Sequence, residues 1–259
     1  MSQFSRLIRF EGEGSDVGPF FADLGSDPDT AIPRPGMQLS AFRSIEDLVA
    51  GKAEPQIVGL GKLAIPSYPP LWTKPAKSIA APDETIPIND FCAKSLLDYE
   101  GEMVFVTSKD CRDVKPSEAG SYILGYTVGN DLSCRMFQLQ KNCAGQFFFA
   151  KAFDKFAPLG PTLISPEMYA KTLSHKLVVK VNGEVRQDVD LAEDMIFSPE
   201  KILSHMSQGT TIPAGTAVMT GTGAGVGAFR KPKTFLQDGD VMEVHMEGVG
   251  TLRNKLQFE

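Results

Sequence analysis

The sequence predicts a mainly β protein of the α+β class, with many strands and only a few short helices. Runs rich in β-branched and aromatic residues recur along the chain, whereas few segments show the apolar spacing of a helix. Turn residues separate these runs, as in residues 176–187, where two β-rich runs flank Asn182-Gly183. Strands and helices do not alternate regularly, so a β-rich core is favoured over repeated βαβ units.

The first part of the chain predicts a small separate unit. Residues 2–10 and 17–24 have the pattern of a β-hairpin, and residues 44–52 have that of a short helix closed by glycine. Pro55 and the proline-rich stretch 65–70 then mark a break. We therefore expect a small N-terminal domain over residues 1–54 and a larger domain over residues 55–259.

The larger domain is predicted to hold most of the strands. Its expected elements, in chain order, are a strand with an acidic start at 96–106, a short helix capped by Ser117 and ending at Tyr122, a buried strand at 123–131, the hairpin at 176–187, a helix at 198–209, and strands beyond residue 216. The helix at 198–209 has the clearest boundaries, because Ser198 and Pro199 suit its start and Gly209 suits its end.

Composition and charge exclude several classes of protein. The chain has 259 residues and a formal charge of -6, and its pI is near 5.2. These values predict neither nucleic-acid binding nor attraction to an anionic membrane. No apolar stretch reaches the length of a membrane span, and the first residues do not resemble a secretory signal. The four cysteines show no metal-site or disulfide spacing, so free thiols and a cytoplasmic location are expected.

The segment DYEGEMVFV, residues 98–106, places an acidic pair at the start of an apolar run. Residues two apart in a strand point to the same face, so Glu100 and Glu102 are expected side by side. Carboxylates that close repel and lose solvation unless positive charge lies between them. A bound cation is one explanation of the pair, and a solvated acidic face on an edge strand is the other.

The segment TGTGAGVGAF, residues 220–229, fits the dinucleotide-binding spacing G-x-G-x-x-A from Gly223 onwards. That fingerprint requires a helix at the same point, but the following residues contain Pro232 and no helical period. A glycine-lined loop at the end of a strand is predicted instead, with hydroxyls from Thr220 and Thr222. It either approaches a ligand closely or is a tight turn without one.

Further polar side chains accompany these two segments. In GYTVGNDLSCRMFQ, residues 125–138, Asp131 follows a buried strand and precedes Arg135 and Gln138. A third carboxylate beside the glutamate pair would complete the all-oxygen site that Mg²⁺, Ca²⁺ or Mn²⁺ prefers. Lys151 lies among aromatic and small residues. It is either a surface side chain or a buried charge that stabilises developing negative charge.

Six segments resemble, in order and spacing, the signature segments of the fumarylacetoacetate hydrolase family: DYEGEMVFV, GYTVGNDLSCRMFQ, KAFDKFAPLGP, VNGEVRQ, TGTGAGVGAF and DGDVMEVHMEGVGTLRN. The resemblance covers most of residues 55–259. It implies that this part is a catalytic domain with the mixed β-sandwich roll of that family. It also implies a homodimer.

The resemblance implies a metal site and a substrate class as well. The family's metal ligands match Glu100, Glu102 and Asp131, which would hold Mg²⁺, or Ca²⁺ or Mn²⁺. Its substrates are small acylpyruvates and other 1,3-dicarbonyl compounds. The catalytic candidates Lys151 and Gln138 and the loop with Thr222 fall on family positions that line the pocket, and Arg135 lies in the same motif. Arg135, Thr222 and Gly223 are the substrate-binding candidates, although many relatives carry proline where this chain has Gly223. A metal-bound enolate is the common intermediate of cleavage, decarboxylation and tautomerisation of such substrates.

The sequence departs from the family where water activation is expected. Members usually carry a His and a Glu on a lid, whereas residues 62–75 contain neither. None of the three histidines lies near a metal-binding segment, so all three are predicted to be structural. The apolar, proline-rich stretch 65–72 is predicted to cover the pocket instead, with Tyr68 or Trp72 contacting a bulky substrate.

Three functions from different classes follow. The first is a metal-dependent enzyme that hydrolyses, decarboxylates or tautomerises enolisable dicarbonyl compounds. The second is the same scaffold recruited to a biosynthetic cyclisation or dehydration. The third is a metal-binding protein without catalysis. The combination of Glu100, Glu102, Asp131 and Lys151 argues against the third, because a protein that only binds need not retain all four.

Overall fold

The computed structural model describes residues 7–12, 19–23, 38–41, 56–63 and 67–259. The chain divides into two compact units, Met1–Ser67 and Tyr68–Glu259. In the ranges just given, no helix combines the length and apolar character that crossing a bilayer requires.

The first unit contains a four-stranded antiparallel sheet in the order β2-β1-β4-β3. Its strands are β1 (Leu7–Gly12), β2 (Pro19–Asp23), β3 (Gln38–Ala41) and β4 (Gln56–Leu63). The predicted hairpin is confirmed by the pairing of β1 with β2. β4 follows the boundary predicted at residue 54, but it pairs with β1 and β3 inside this sheet. The predicted helix at 44–52 lies outside the described residues, and the division into functional domains stays a prediction.

The second unit holds the remaining strands. They are β5 (Ile79–Ala80), β6 (Thr85–Ile88), β7 (Leu97–Asp98), β8 (Gly101–Thr107), β9 (Ile123–Asn130), β10 (Ser133–Cys134), β11 (Ala157–Ile164), β12 (Lys176–Val181), β13 (Glu184–Asp190), β14 (Ala217–Met219), β15 (Val241–Met246) and β16 (Gly250–Phe258). The predicted mainly β fold is confirmed.

Two five-stranded sheets enclose the core of this unit. The first sheet has the order β14-β8-β9-β11-β5 and the second the order β13-β12-β15-β16-β6, while β10 and β7 form a separate ribbon. Both sheets mix antiparallel pairs with one parallel pair. Phe105 and Val128 of the first sheet share one buried apolar cluster with Val179 and Val244 of the second. Burial of these side chains is the main force that holds the two sheets together.

The helices of the second unit are short. They are α1 (Asp90–Ala93), α2 (Pro116–Ala119), α3 (Gln140–Cys143), α4 (Phe148–Lys151), α5 (Pro166–Tyr169), α6 (Leu191–Asp194) and α7 (Pro199–Met206). The predicted helix at 198–209 is confirmed as α7, whose cap Ser198 accepts a hydrogen bond from Lys201 N. The predicted helix ending at Tyr122 is confirmed as α2 followed by the 3₁₀ turn Gly120–Tyr122, but the prediction that Ser117 caps it is wrong. α2 begins at Pro116 with Lys115 as its cap, because proline favours the first helical position.

The turn between β12 and β13 is the predicted hairpin. Val181 pairs with Glu184, and the two residues between them, Asn182 and Gly183, have φ values of 52° and 81°. Positive φ at both central residues is typical of the type I′ turn, which suits the twist of an antiparallel pair. This turn sets which residues of β13 face the first sheet.

Candidate metal centre

Three buried carboxylates meet where β8 begins and β9 ends. Glu100 directly precedes β8, Glu102 lies on it, and Asp131 follows β9. Each residue offers one carboxylate oxygen, and these oxygens lie within 4.8 Å of one another. The three residues are only 7%, 3% and 2% exposed. The alternative of a solvated acidic edge strand is therefore wrong.

Backbone pairing holds this triad together. Gly101 lies opposite Asn130 in the antiparallel pairing of β8 with β9. Asn130 Oδ1 accepts a hydrogen bond from Glu100 N at 3.0 Å, and Asp131 N donates to Glu100 O at 2.8 Å. The turn that carries the aspartate is thus fixed against the strand that carries the glutamates.

Lys151 lies inside the acidic group. It ends α4, is 1% exposed, and its Nζ donates to Glu100 Oε2 at 2.5 Å, Asp131 Oδ2 at 2.5 Å and Ser133 Oγ at 2.7 Å. Burial opposes the ammonium charge, but the attraction of Glu100 and Asp131 outweighs it and raises the pKa of Lys151. The alternative of a surface side chain is therefore wrong, and the role of the buried charge stays a prediction.

A second lysine, Lys74, also contacts the acidic group, and no pattern in the sequence predicts this contact. Its Nζ donates to Asp131 Oδ1 at 2.5 Å, and its side chain is 12% exposed. Burial lowers the pKa of Lys74 more than Asp131 raises it. Burial also opposes the charge of Asp131, but Lys74 and Lys151 outweigh it and lower the pKa of Asp131. A single lysine in an irregular segment carries no periodicity signal that would have revealed it.

Glu102 carries the least compensated charge of the triad. Its Oε2 accepts a hydrogen bond from Gly221 N at 2.6 Å, and no ion pair joins it to another described residue. Burial, reinforced by Asp131 and Glu100, raises the pKa of Glu102 well above its ordinary value. The oxygen-only ligands, their spacing and this uncompensated charge fit a hard divalent cation. The assignment of the three carboxylates as its ligands stays a proposal.

Arg135 links the triad to Asp98. Its Nε donates to Asp98 Oδ2 at 2.8 Å, and its Nη1 donates to Glu100 Oε1 at 2.5 Å and to Gln138 Oε1 at 2.8 Å. Its Nη2 is buried and has no hydrogen-bond partner among the described groups. Arg135 and Gln138 therefore lie beside the acidic group, and their predicted roles stay predictions.

The glycine-lined loop after β14 borders the same centre. Thr220 Oγ1 donates to Met103 O, and Thr222 Oγ1 donates to Gly101 O, each at 2.9 Å. These two hydroxyls thus continue the hydrogen bonding along β8 beyond the point where β14 ends. The next regular element is the 3₁₀ turn Gly227–Phe229. Thr222 and Gly223 are thus next to the strand of the glutamates, and their substrate-binding roles stay predictions.

Two aromatic candidates occupy different places. The Trp72 ring centroid lies 5.3 Å from Lys151 Nζ, and the ring packs edge-on against Phe147. Tyr68 is 68% exposed and stacks on His205 with centroids 5.2 Å apart. The described contacts bring Trp72 to the acidic centre, whereas those of Tyr68 lead to α7. Substrate contact by either residue stays a prediction.

The described contacts of the three histidines lie away from the triad. His205 stacks on Tyr68. His175 packs on Tyr169, with centroids 4.8 Å apart, and His245 Nδ1 lies 2.9 Å from Thr251 Oγ1. These contacts agree with the structural roles that the sequence predicts.

The fold and the centre define a class of protein, a mixed β-sandwich with a buried carboxylate triad suited to a divalent cation. Residues 47–257 match the family model for the fumarylacetoacetate (FAA) hydrolase C-terminal region. The chain belongs to the fumarylacetoacetate hydrolase family, as the sequence resemblance predicts.

Two relatives and two solved structures place the chain within that family. It is 37% identical over 207 residues to a fumarylacetoacetate hydrolase domain-containing protein 2 homolog of Dictyostelium discoideum, covering 76% of this chain and 66% of the relative. It is 34% identical over 190 residues to a mitochondrial oxaloacetate tautomerase of Xenopus laevis, covering 73% and 58%. The chain thus spans less than two thirds of either relative.

The solved structures cover nearly the whole chain. Fumarylacetoacetate hydrolase from Exiguobacterium antarcticum is 27% identical with a TM-score of 0.66, covering 98% of this chain and 99% of that one. The 2-hydroxyhepta-2,4-diene-1,7-dioate isomerase of Mycobacterium marinum is 29% identical with a TM-score of 0.65, with the same coverage. One fold therefore serves proteins named for hydrolysis and for isomerisation.

Proposed function

We propose that the protein is a divalent-metal-dependent enzyme that interconverts the keto and enol forms of a 2-oxo dicarboxylate of the oxaloacetate type. The observation that carries the proposal is the buried carboxylate triad with the Lys151 ammonium 2.5 Å from both Glu100 and Asp131. Loss of a proton beside a ketone leaves an enolate, and positive charge fixed next to it lowers the barrier. The name of the Xenopus laevis relative supports this substrate class.

Glu100, Glu102 and Asp131 are the residues that would hold the cation. When bound, a divalent cation supplies Lewis-acid stabilisation of adjacent substrate oxygens. Mg²⁺ is the proposed ion, with Ca²⁺ and Mn²⁺ as alternatives. The ammonium groups of Lys151 and Lys74 add positive charge that belongs to the chain itself, and both are held in place by Asp131.

Arg135 is the proposed anchor for a substrate carboxylate. Its Nε already donates to Asp98, and its Nη1 donates to Glu100 and Gln138. Its buried Nη2 has no described acceptor, and a buried donor without an acceptor costs about 1–3 kcal/mol. A dicarboxylate substrate would supply a charged acceptor, which binds a guanidinium N–H about twice as strongly as the neutral ketone oxygen of a diketone does.

Tautomerisation fits the centre better than hydrolysis does. Hydrolysis needs a base that activates water, while tautomerisation needs only proton transfer. Residues 62–75 contain neither His nor Glu, and the described partners of the three histidines lie elsewhere. Decarboxylation also passes through an enolate without activated water and is the nearest alternative. Recruitment to cyclisation or dehydration is the more distant one.

The test is to offer oxaloacetate and acylpyruvates in ¹⁸O-water with Mg²⁺. We expect the enol absorbance of oxaloacetate to decay faster than without enzyme, EDTA to remove the acceleration, and Mg²⁺ to restore it. Glu102→Gln should lose this activity, while Glu118→Gln, on an exposed carboxylate of α2, should keep it.

Pyruvate release without ¹⁸O uptake would favour decarboxylation. Rapid ¹⁸O incorporation into a cleaved acid, at roughly 1–10³ s⁻¹, would show that the enzyme is a hydrolase.

Two other expectations stay proposals. The family resemblance implies a homodimer, which sedimentation of the purified chain would test. A cytoplasmic location is the expectation from composition, but the Xenopus laevis relative is named as mitochondrial. Localisation of the tagged protein would decide between the two compartments.

A further inference from the structure

A buried amide on the second sheet reaches across to the acidic centre. Gln187 lies on β13, the edge strand of that sheet, and is 1% exposed. Its Oε1 accepts a hydrogen bond from Gly101 N at 3.1 Å. Its Nε2 donates to Thr222 Oγ1 at 2.8 Å and to Gly223 O at 3.0 Å. All three partners belong to β8 or to the glycine-lined loop.

These hydrogen bonds close a ring. Thr222 Oγ1, which accepts from Gln187, donates in turn to Gly101 O at 2.9 Å. Both backbone polar groups of Gly101 are therefore held by two side chains that also hold each other. The partners determine the orientation of the amide, because Gly101 N is a donor and Gly223 O is an acceptor.

Gly101 is the residue between the two glutamates of the triad. A Cβ at this position would lie 2.1 Å from Val179 Cγ2, so β8 packs directly on β12 with no room for a side chain. The loop packs on β13 just as closely. A Cβ on Gly223 would lie 2.5 Å from Val189 Cγ2, and one on Gly225, where φ is +108°, would lie 2.2 Å from Arg186 O. The loop thus contacts β13 on both sides of Gln187.

The same loop holds the carboxylate of Glu102. Gly221 N donates to Glu102 Oε2 at 2.6 Å, one residue before Thr222. The position of this carboxylate therefore depends on the strand through Gly101 and on the loop through Gly221. We infer that Gln187 is a positioning residue for the metal centre, which sets the separation of Glu100 and Glu102 by tying β8 and the loop to the second sheet. This inference rests on the proposed function, because it concerns a centre built to hold a cation.

Among side chains of this length, only a neutral amide can both accept from Gly101 N and donate to Thr222 Oγ1 and Gly223 O. Methionine fills a similar volume but neither donates nor accepts in the same way. An ionised glutamate accepts from Gly101 N but cannot donate to Thr222 or Gly223. Groups that orient a metal's ligands typically contribute 10–100-fold to affinity or activity.

The test is calorimetric titration of Mn²⁺ into the 259-residue chain carrying Gln187→Met. The matched control is Asn254→Leu, which removes another buried amide of the second sheet. Asn254 is 2% exposed, and its Nδ2 donates to Ala81 O at 2.9 Å and to Glu84 O at 2.8 Å, in bonds that involve no residue of the triad. Melting temperature in EDTA is measured for both variants.

We expect Gln187→Met to raise the Kd for Mn²⁺ by about 10–100-fold. Asn254→Leu should lower the melting temperature but leave that Kd within about twofold of wild type. Equal affinity in Gln187→Met and wild type would overturn the inference and leave the proposed function intact, as would equal weakening in both variants.

A wild-type chain that binds no divalent cation would instead refute the proposed function, and the inference with it. If Gln187→Met does not fold, Thr222→Val tests the same ring with a smaller change. It should weaken Mn²⁺ binding in the same direction, and unchanged affinity would overturn the inference.

Discussion

Asp98 and Glu102 lie four residues apart and are both buried, yet their surroundings differ. Asp98 accepts hydrogen bonds from four donors of the fold, namely Tyr99 N, Gly227 N, Ala228 N and Arg135 Nε, at 2.8 to 2.9 Å. Within the described part of the chain, Glu102 accepts one hydrogen bond, from Gly221 N. The four donors satisfy the carboxylate oxygens of Asp98, whereas a buried carboxylate with a single donor needs a proton or a cation.

The difference distinguishes a carboxylate whose oxygens the fold satisfies from one whose charge the proposed cation would neutralise. Around Asp98 the packing leaves no space, since a Cβ on Gly227 would lie 2.7 Å from Asp98 Oδ1 and 1.9 Å from Thr234 O. Around Glu102, burial and the charges of Asp131 and Glu100 raise its pKa well above the ordinary value. Acidic residues on one short segment thus serve different purposes, which changes at each position test separately.

The largest effect is expected for Asp98→Asn. Each carboxylate oxygen of Asp98 accepts from two donors, so the amide NH₂ of asparagine would face two N–H groups in either orientation. We expect the free energy of unfolding in EDTA to fall by about 3–5 kcal/mol, measured by urea denaturation. Glu102→Gln should cause no such loss, because its amide oxygen can still accept from Gly221 N. Equal losses in both variants would remove the distinction.

The next largest effect is expected for Lys151→Met, which removes positive charge from the acidic group that includes Glu102. We expect kcat for enol–keto conversion at saturating Mg²⁺ to fall by about 10²–10³-fold, because in the proposed reaction this charge would stabilise the enolate. Lys155→Met is the control, since Lys155 pairs with Glu84 at 2.8 Å and has no described contact with the triad. An unchanged kcat with a lower melting temperature would make Lys151 a structural residue.

The pH dependence of cation binding sharpens the same comparison. The pKa of Glu102 in the ion-free protein is raised, with Asp131, Glu100 and Lys151 as the charges facing it. Cation binding should therefore release a proton, and affinity should rise by up to roughly tenfold per pH unit from the ordinary glutamate pKa up to the raised one. Titration in two buffers of different ionisation enthalpy measures this release.

The pH dependence of stability without metal has the opposite sign to that of cation binding. In that pH window the folded, ion-free chain binds more protons at Glu102 than the unfolded chain does, so stability without metal falls as pH rises. Glu102→Gln should abolish both the proton release and this slope. Proton release that persists in the variant would assign it to another group.

The smallest effect is expected for Trp72→Leu. The ring lies 5.3 Å from Lys151 Nζ, and a cation–π contact contributes about 0.5–1 kcal/mol or more when partly buried. We expect kcat/KM to fall by about two- to fivefold. Tyr122→Leu removes a comparable contact with Lys109, at 4.1 Å, and should leave kcat/KM unchanged. Equal effects of the two changes would place Trp72 outside the site.

By itself the sequence determined the features that depend on local pattern. The spacing of Glu100 and Glu102 predicted that they lie together, although Glu100 directly precedes β8, and the order of motifs added Asp131 and identified the family. The turn at Asn182-Gly183 and the cap of α7 were also predictable, because each is set by a few adjacent residues with defined backbone preferences.

Only the tertiary structure decided which partner each polar group has. Lys74 meets Asp131 across 57 residues, Gln187 meets Gly101 across 86, and Gly227 meets Asp98 across 129. Such contacts leave no periodic trace in the sequence, because they depend on how the two sheets and the loop pack. For this reason the sequence did not distinguish Asp98, held by four donors, from Glu102, held by one, although the two lie on the same short segment.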